Sequence, residues 1–287
     1  MKTMTHPIFV SHAQNMEDIL LWRALRHVER GSYIDIGACD PRVGSLSRGF
    51  YDLGWRGIHF EPHPVYAAAL RADRPDEDVR QIALGDTEGS IPFFLVPVEG
   101  NSTGVAEFAK RPGLAVEEIR VPCSTLRSAC DAVASREVHW LKIDVEGMEE
   151  AVLRGWDALV LRPWIMVVEA TRPNSTELSH ASWEPLVLNA SYQFAFFDGL
   201  NRYYVANEHA ELVPAFAAPV NVFDLAAGCE LDMVSPFAMR SWCVEKEQAL
   251  EKVAQLRGEV EAMRASWSWR ITAPLRWMVD RVSGKQA

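Results

Sequence analysis

The stretch GSYIDIGACDP, residues 31–41, decides the fold of this chain. An apolar run leads into Asp35 and Gly37, and a second acid, Asp40, comes just before a proline. A buried strand of a parallel sheet whose carboxyl end faces a ligand has this pattern. An ordinary strand-to-turn exit has it too, so the rest of the chain must decide between the two.

The same pattern recurs along the chain. Five short apolar runs are predicted strands: SYIDIG, GIHFEP, VRQIAL, VHWLKIDV and WIMVVEA. Helical spacing separates them, and residues 90–123 are predicted to form a hairpin insertion between the third and fourth strands. The segments YQFAFFD and RYYVA flank the turn signal DGLN and predict a final antiparallel pair. Strands that alternate with helices predict an α/β fold with a doubly wound, mostly parallel sheet.

Composition narrows the class of function. The 287 residues carry a net charge of −10, which argues against nucleic acid as a partner because phosphate binding needs clustered Lys and Arg. The five cysteines are scattered with no C-x-x-C, which suits a reducing compartment and gives no zinc signal. The N-terminus lacks a long apolar segment, and no apolar run reaches about 18 residues. We therefore expect a cytoplasmic protein.

Three regions are predicted: a main domain over 1–240, a heptad-patterned helix over 241–266 and a basic tail over 267–287. The heptad positions are apolar except for Lys246, and they are Trp242, Lys246, Ala249, Val253, Leu256, Val260, Met263 and Trp267. This pattern predicts either self-association as a homo-oligomer or packing of the helix on its own domain.

The end of the chain reverses the overall charge. Residues 264–287 hold five basic residues and one acid, and tryptophans alternate with arginines there. Aromatic rings with Arg favour peripheral contact with a membrane, at its inner face, or with a partner surface. A docked or frayed tail is the other interpretation.

Four predicted strands end in an acid: Asp35, Glu61, Asp144 and Glu169. Acids at matching strand ends lie on one rim, where they repel unless ligand donors or a cation offset them. Glu61 lies 24 residues after Gly37, close to the spacing of an acid that binds ribose hydroxyls. The turn GACDPR is not G-x-G-x-x-G, and the acids Asp35 and Asp40 at this turn would repel a pyrophosphate. These features favour S-adenosylmethionine, a cationic nucleoside without phosphates.

Longer motifs carry a resemblance to a known family. They are QNMED, YIDIGACDPRVGSLSRGFYDLGWRGIHFEPHP, LKIDVEGMEEAVLRGW and VVEA, in this order over roughly residues 8–205. With these motifs the chain resembles the FkbM family of S-adenosylmethionine-dependent methyltransferases. The tail SWSWRITAPLR is similar, over a short stretch, to C-terminal tails of enzymes that assemble bacterial surface polysaccharides.

The resemblance implies a Rossmann-like class I methyltransferase fold, with a seven-stranded sheet whose last strand is antiparallel. It implies that Asp35, Gly37 and Ala38 line the methionine part of the cofactor, and that Glu61 and Pro62 hold the ribose. Ala83 or Asp86 would lie near the adenine. Gln14 and Asp18 would close over the cofactor from the N-terminal helix. Asp18 as a helix cap and Asp86 as a plain turn residue are the alternatives.

Methyl transfer to a sugar hydroxyl needs a base. The candidate bases are Asp144, Glu146, Glu169 and Asp198. Three of them, Asp144, Glu169 and Asp198, could instead bind Mg²⁺. Lys142 is expected to pair with Asp144.

Acceptor contacts are predicted at Asn101 and Ser102 in the loop EGNSTG and at Asn201, although a solvated hairpin turn would also explain this loop. The sequence predicts an O-methyltransferase for a sugar of a surface polysaccharide, a lipid-linked glycan or a glycosylated metabolite. A non-catalytic scaffold of a polysaccharide-assembly complex and an NAD-dependent oxidoreductase are the alternatives.

Overall fold

The computed structural model describes residues 9–98, 100–110, 115–131, 137–221, 223–224 and 226–228, together with 252–253, 255–260 and 262–263. The chain divides into two compact units, Met1–Glu230 and Leu231–Ala287. The described residues of the predicted heptad segment are helical. The rest of that segment and the predicted tail, 267–287, lie outside the described residues.

A seven-stranded sheet forms the centre of the first unit. Its strands, in spatial order, are β10 (Tyr192–Phe197), β11 (Asn201–Ala206), β9 (Ile165–Glu169), β8 (Trp140–Ile143), β2 (Ser32–Ile36), β3 (Arg56–Phe60) and β4 (Asp78–Arg80). Five neighbouring strands, β9, β8, β2, β3 and β4, are parallel to one another. Strand β11 is antiparallel to both β9 and β10. The predicted mostly parallel, seven-stranded sheet is confirmed, and so is the antiparallel hairpin around DGLN.

Helices cover the sheet on both faces. The helices of this unit are α1 (Glu17–Leu25), α2 (Arg48–Asp52), α3 (Pro64–Asp73), α4 (Ala106–Ala109), α5 (Leu126–Cys130), α6 (Glu149–Arg154) and α7 (Glu184–Asn189), with 3-10 segments at His180–Ser182 and Asn207–Phe216, and α4 packs against β6 (Gly89–Leu95) and not against the central sheet. Successive strand residues point to opposite faces. Tyr33 accordingly belongs to a core shared with α1, α2 and 207–216, and Ile34 to one shared with α5, α6 and α7.

Two smaller sheets complete the unit. In one, β5 (Ala83–Gly85) is parallel to β7 (Glu117–Thr125), which is antiparallel to β6 (Gly89–Leu95). This confirms the predicted hairpin insertion. In the other, β1 (Phe9–Ser11) lies parallel to β12 (Ala226–Gly228). The prediction that VRQIAL is a single strand is wrong, because the chain leaves the main sheet after Arg80 and Ala83 pairs with Cys123 instead.

The structure also bears on membrane insertion. In the described parts of the chain, no helix combines the length and the apolar character that crossing a bilayer requires.

Candidate active site

The carboxyl ends of β2, β3, β8 and β9 meet at one edge of the sheet and bring the four strand-end acids together. Backbone hydrogen bonds join the turns there: Gly37 N donates to Phe60 O at 2.9 Å, and Asp144 N donates to Ile36 O at 3.0 Å. Asp35, Glu61 and Glu169 are buried at this edge, and Asp144 is half-buried. The edge is therefore a rim of carboxyl groups, as expected from the sequence.

Gly37 sets how closely the turns after β2 and β8 approach each other. Its φ is +80°, and a Cβ on this residue would lie 1.8 Å from the carbonyl oxygen of Asp144. That distance is far shorter than any non-bonded contact, and a positive φ disfavours side chains. Glycine is therefore required at position 37 for the β2 and β8 turns to touch.

Glu61 is held in a fixed orientation beside the β2 turn. Its carboxylate accepts hydrogen bonds from Cys39 N and His63 N, each at 2.7 Å. Burial raises the pKa of Glu61 to about 7; the two backbone donors oppose the shift, and Asp35 and Asp144 add to it. Each carboxylate oxygen has more than one lone pair, so the group can still accept hydrogen bonds from a ligand.

A buried polar network supports Asp35 from behind. Ser47 Oγ donates to Asp35 Oδ2 at 2.7 Å, and Arg74 Nη1 donates to the same Ser47 oxygen at 2.7 Å. His59 Nδ1 lies 3.8 Å from Asp35 Oδ2, while its Nε2 lies 2.8 Å from Glu77 Oε2. Sequence reasoning missed this network, because nothing in the pattern of the chain marks Arg74 as fully buried.

Lys142 lies between two acids. Its Nζ is 2.9 Å from Asp144 Oδ2 and 3.6 Å from Glu17 Oε1. Burial opposes the charge of Lys142, but the carboxylates of Asp144, Glu17 and Asp35 outweigh it and raise its pKa above the ordinary value. Lys142 therefore stays a cation and pairs with Asp144, as predicted from their spacing of two residues.

Glu169 and Asn201 form the other end of the rim. They are paired residues on the neighbouring strands β9 and β11, so their side chains lie side by side. Glu169 Oε2 and Asn201 Oδ1 are buried and have no hydrogen-bond partner among the described residues. Burial raises the pKa of Glu169 well above its ordinary value, and the carboxylates of Asp144, Glu146 and Glu149 add to this effect.

The orientation of Asn201 is fixed by acids. Its Nδ2 donates to Glu17 Oε1 at 3.1 Å and to Asp198 Oδ2 at 3.3 Å, which leaves the amide oxygen for another donor. Asp198 also accepts hydrogen bonds from Leu200 N, Asn201 N and Tyr203 Oη. Asp198 is thus engaged within its own turn and positions Asn201.

The first turn of α1 contributes Glu17 rather than Asp18 to the rim. Asp18 accepts hydrogen bonds from Ser11 Oγ at 2.7 Å and His12 N at 2.8 Å, so its carboxylate anchors the segment that precedes the helix. Burial raises the pKa of Asp18 to about 7. Sequence reasoning missed Glu17, because periodicity alone does not tell which of two adjacent acids faces the sheet.

The remaining predicted cofactor residues lie around this edge in different settings. Gln14 is half-buried, and its Cβ lies 3.9 Å from where a Cβ on Gly44 would be. Ala38 is buried in a small cluster with Ala67 and Leu70 of α3. Pro62 follows β3 and is half-buried. Ala83 begins β5 and is buried, and Asp86, directly after β5, is exposed.

The predicted acceptor loop contacts the rim. Asn101 is 2% exposed, so it is not at a solvated hairpin tip. The Ser102 hydroxyl accepts a hydrogen bond from Val96 N at 3.1 Å. Thr103 Oγ1 donates to the carbonyl oxygen of Glu146 at 2.8 Å and so fixes the loop to the turn after β8. The Glu146 backbone has a φ of 51°.

The structure gives no support to the predicted Mg²⁺ site. Within the described ranges, no group of three or more His, Cys, Asp or Glu side chains is arranged to hold a metal ion. Of the three proposed ligands, Asp144 pairs with Lys142, and Asp198 accepts hydrogen bonds from its own turn. Glu169 keeps a buried carboxylate oxygen without a hydrogen-bond partner in the described part of the chain, and a single free oxygen does not make a metal site.

Comparison with known proteins assigns the sequence to a family. No curated protein sequence matches the chain. The family model described as the Methyltransferase FkbM domain matches residues 35–194, which is more than half of the chain. The matched range begins at Asp35 and includes Glu61, Asp144 and Glu169. The chain belongs to the FkbM methyltransferase family.

Proposed function

We propose that this protein is an S-adenosylmethionine-dependent O-methyltransferase that acts on a sugar hydroxyl of a surface polysaccharide, a lipid-linked glycan or a glycosylated metabolite. The observation that carries the proposal is the buried carboxylate of Glu169. One of its oxygens has no hydrogen-bond partner among the described residues, and its pKa is raised. A buried acceptor of this kind is costly unless a ligand donates to it.

The residues of the rim suit a cationic nucleoside. Burial and neighbouring carboxylates raise the pKa values of both Glu61 and Glu169, so a positive charge nearby would stabilise their ionised forms. Glu61 would accept hydrogen bonds from ribose hydroxyls. Asp35, held by Ser47, would face the methionine part beside Gly37. When bound, S-adenosylmethionine supplies an electrophilic methyl group on a sulfonium that departs as a neutral thioether.

Four further residues are assigned to the cofactor side. Ala83 and Asp86 would lie near the adenine. Gln14 would contact the cofactor from the segment beside Gly44. Asp18 would act indirectly, because its carboxylate holds residues 11–13 in place.

The proposed reaction requires the protein to remove the proton of the acceptor hydroxyl and to align this hydroxyl with the methyl donor. Glu169 would accept the proton of the attacking hydroxyl, since a carboxylate with a raised pKa holds that proton better than an ordinary one. Asn201 Oδ1 would accept a second hydroxyl hydrogen and orient the sugar. The electrostatic potential around Glu169 would be set in part by the carboxylates of Asp144, Glu146 and Asp198. Asn101 and Ser102 would border the acceptor from the loop joined to Glu146 by Thr103.

The proposal is tested by transfer of a radiolabelled methyl group from S-adenosylmethionine to a panel of glycans and lipid-linked sugars. We expect transfer by the unaltered chain and a loss of ~10²–10⁴-fold in Glu169→Gln, the range that a general base contributes. Glu177→Gln, at an exposed glutamate, is the matched control and should retain full activity. Undiminished transfer by Glu169→Gln would contradict the role of this residue. Transfer only to amines would contradict the acceptor class.

A further inference from the structure

The described part of the C-terminal helix carries an apolar stripe. Val253, Leu256, Val260 and Met263 are spaced by three, four and three residues, so they lie along one side of the helix. They are 45, 47, 44 and 55% exposed, respectively, in the single chain. These spacings are the a and d positions of two heptads, and a stripe of this kind is covered when it packs against another helix.

The helix is poorly suited to stand alone. Gly258 lies on the side away from the stripe, and nothing lies within 4 Å of where its Cβ would be. A glycine inside a helix is destabilising relative to alanine. Short helices are marginal in water, so packing of the apolar stripe against a partner would stabilise this segment.

We propose that this stripe binds the same stripe of a second copy of the chain, and that the two helices run antiparallel. The charges beside the stripe select this arrangement. Lys252 and Glu259 occupy g positions and Arg257 an e position, and all three are exposed. In an antiparallel pair of helices, g positions face g positions of the partner. Lys252 of each copy then lies opposite Glu259 of the other, and this attractive pair occurs twice.

Other arrangements gain less from these charges, because each of them places some like charges together. In a parallel dimer, g faces the following e position of the partner, so Lys252 would oppose Arg257 twice, and this repulsion would offset the two attractive pairs of Glu259 with Arg264, the next e position in the sequence. If the antiparallel register shifts by one heptad in one direction, Glu259 of one copy faces Glu259 of the other. If it shifts by one heptad in the other direction, Lys252 of one copy faces Lys252 of the other. The favoured register places Val253 of one copy against Leu256 of the other at the centre of the interface.

Sedimentation equilibrium of the full-length chain tests the proposal. We expect a concentration-dependent monomer–dimer equilibrium, with a mass at about 100 µM chain approaching twice the 32.2 kDa of one copy. Substitution of both Val253 and Val260 by Asp should abolish the dimer. A mass of one chain at every concentration, or a trimer, would overturn the proposal.

Charge reversal at exposed positions tests the direction without removing apolar contacts. Lys252→Glu and Glu259→Lys should each weaken the dimer about tenfold, because two like-charge pairs form, and the double variant should restore it. In a parallel dimer, Lys252→Glu would instead tighten association. Ala262→Glu adds a charge at an exposed c position, away from the stripe and its flanks, and as the control it should leave the dimer unchanged. Tightening by Lys252→Glu, or failure of the double variant to restore the dimer, would overturn the antiparallel arrangement.

Discussion

Substitution of Gly37 by alanine should damage both the fold and cofactor binding, because two separate costs meet at this position. The φ of +80° costs an alanine about 1–2 kcal/mol. In addition, the new Cβ would lie 1.8 Å from the carbonyl oxygen of Asp144, so the β2 and β8 turns must separate. Overpacking of this kind costs a further ~1–3 kcal/mol.

Gly54→Ala isolates the first of these costs. Gly54 has a φ of +88°, but nothing lies within 4 Å of where its Cβ would be. Gly54→Ala should therefore lower the free energy of unfolding by about 1–2 kcal/mol, and Gly37→Ala by ~2–5 kcal/mol. Urea unfolding measures both values. Only Gly37→Ala should also weaken binding of S-adenosylmethionine in calorimetry, by about tenfold or more.

Two results with these alanine variants would contradict this reasoning. Equal loss of stability in Gly37→Ala and Gly54→Ala would show that the close approach of the two turns does not constrain the site. Full cofactor affinity in a folded Gly37→Ala protein would refute the placement of the cofactor beside this turn.

Three other substitutions probe the rim. Lys142→Met leaves the buried Glu17 and the half-buried Asp144 without their cation and should lower the free energy of unfolding by ~3–5 kcal/mol, whereas Arg154→Met, in an exposed pair, should cost at most about 1 kcal/mol. Equal losses in urea unfolding would contradict the pairing. Glu61, with a pKa of about 7, is protonated below that pH, so calorimetric affinity for S-adenosylmethionine should rise from pH 6 to pH 8. In Glu61→Gln the affinity should be low and should rise less over this range. An unchanged pH profile in that variant would exclude Glu61 as the titrating group. Ser47→Ala removes the hydroxyl that holds Asp35 and should weaken cofactor binding about tenfold while the seven-stranded sheet persists by circular dichroism; full affinity would assign Ser47 a structural role only.

The sign of the Glu61 effect on stability is opposite to its effect on binding. Its folded pKa of about 7 is above the ordinary value of 4.5, so the folded protein takes up a proton that the unfolded chain does not hold between these values. The stability contributed by this proton is present below pH 4.5 and is lost as the pH rises through about 7.

The central sheet could be predicted because its signals are local. Short apolar runs that end in an acid mark β2, β3, β8 and β9, and the acids at their ends converge because parallel strands share one carboxyl edge. The role of Gly37 could also be predicted locally, because glycine is the usual residue where a turn that follows a strand needs a positive φ. These features depend on residues close together in the chain.

The missed features depend on tertiary contacts. VRQIAL has the composition of one strand, and only pairing with β7 shows that Ala83 leaves the main sheet. Glu17 and Asp18 are adjacent acids, and packing against Lys142 decides which of them reaches the rim. Arg74 looks like a surface residue at the end of α3 until Ser47 and Asp35 are seen beside it. No sequence pattern encodes such contacts.

The central claim is that the carboxyl rim receives a positively charged nucleoside without phosphates. Calorimetric titration of the full-length chain with S-adenosylmethionine and, separately, with NAD tests it most directly. The account predicts saturable binding of S-adenosylmethionine that weakens at least about tenfold in Glu61→Gln, and no binding of NAD. Saturable binding of NAD without binding of S-adenosylmethionine, or equal affinity for S-adenosylmethionine in the unaltered and Glu61→Gln proteins, would contradict it.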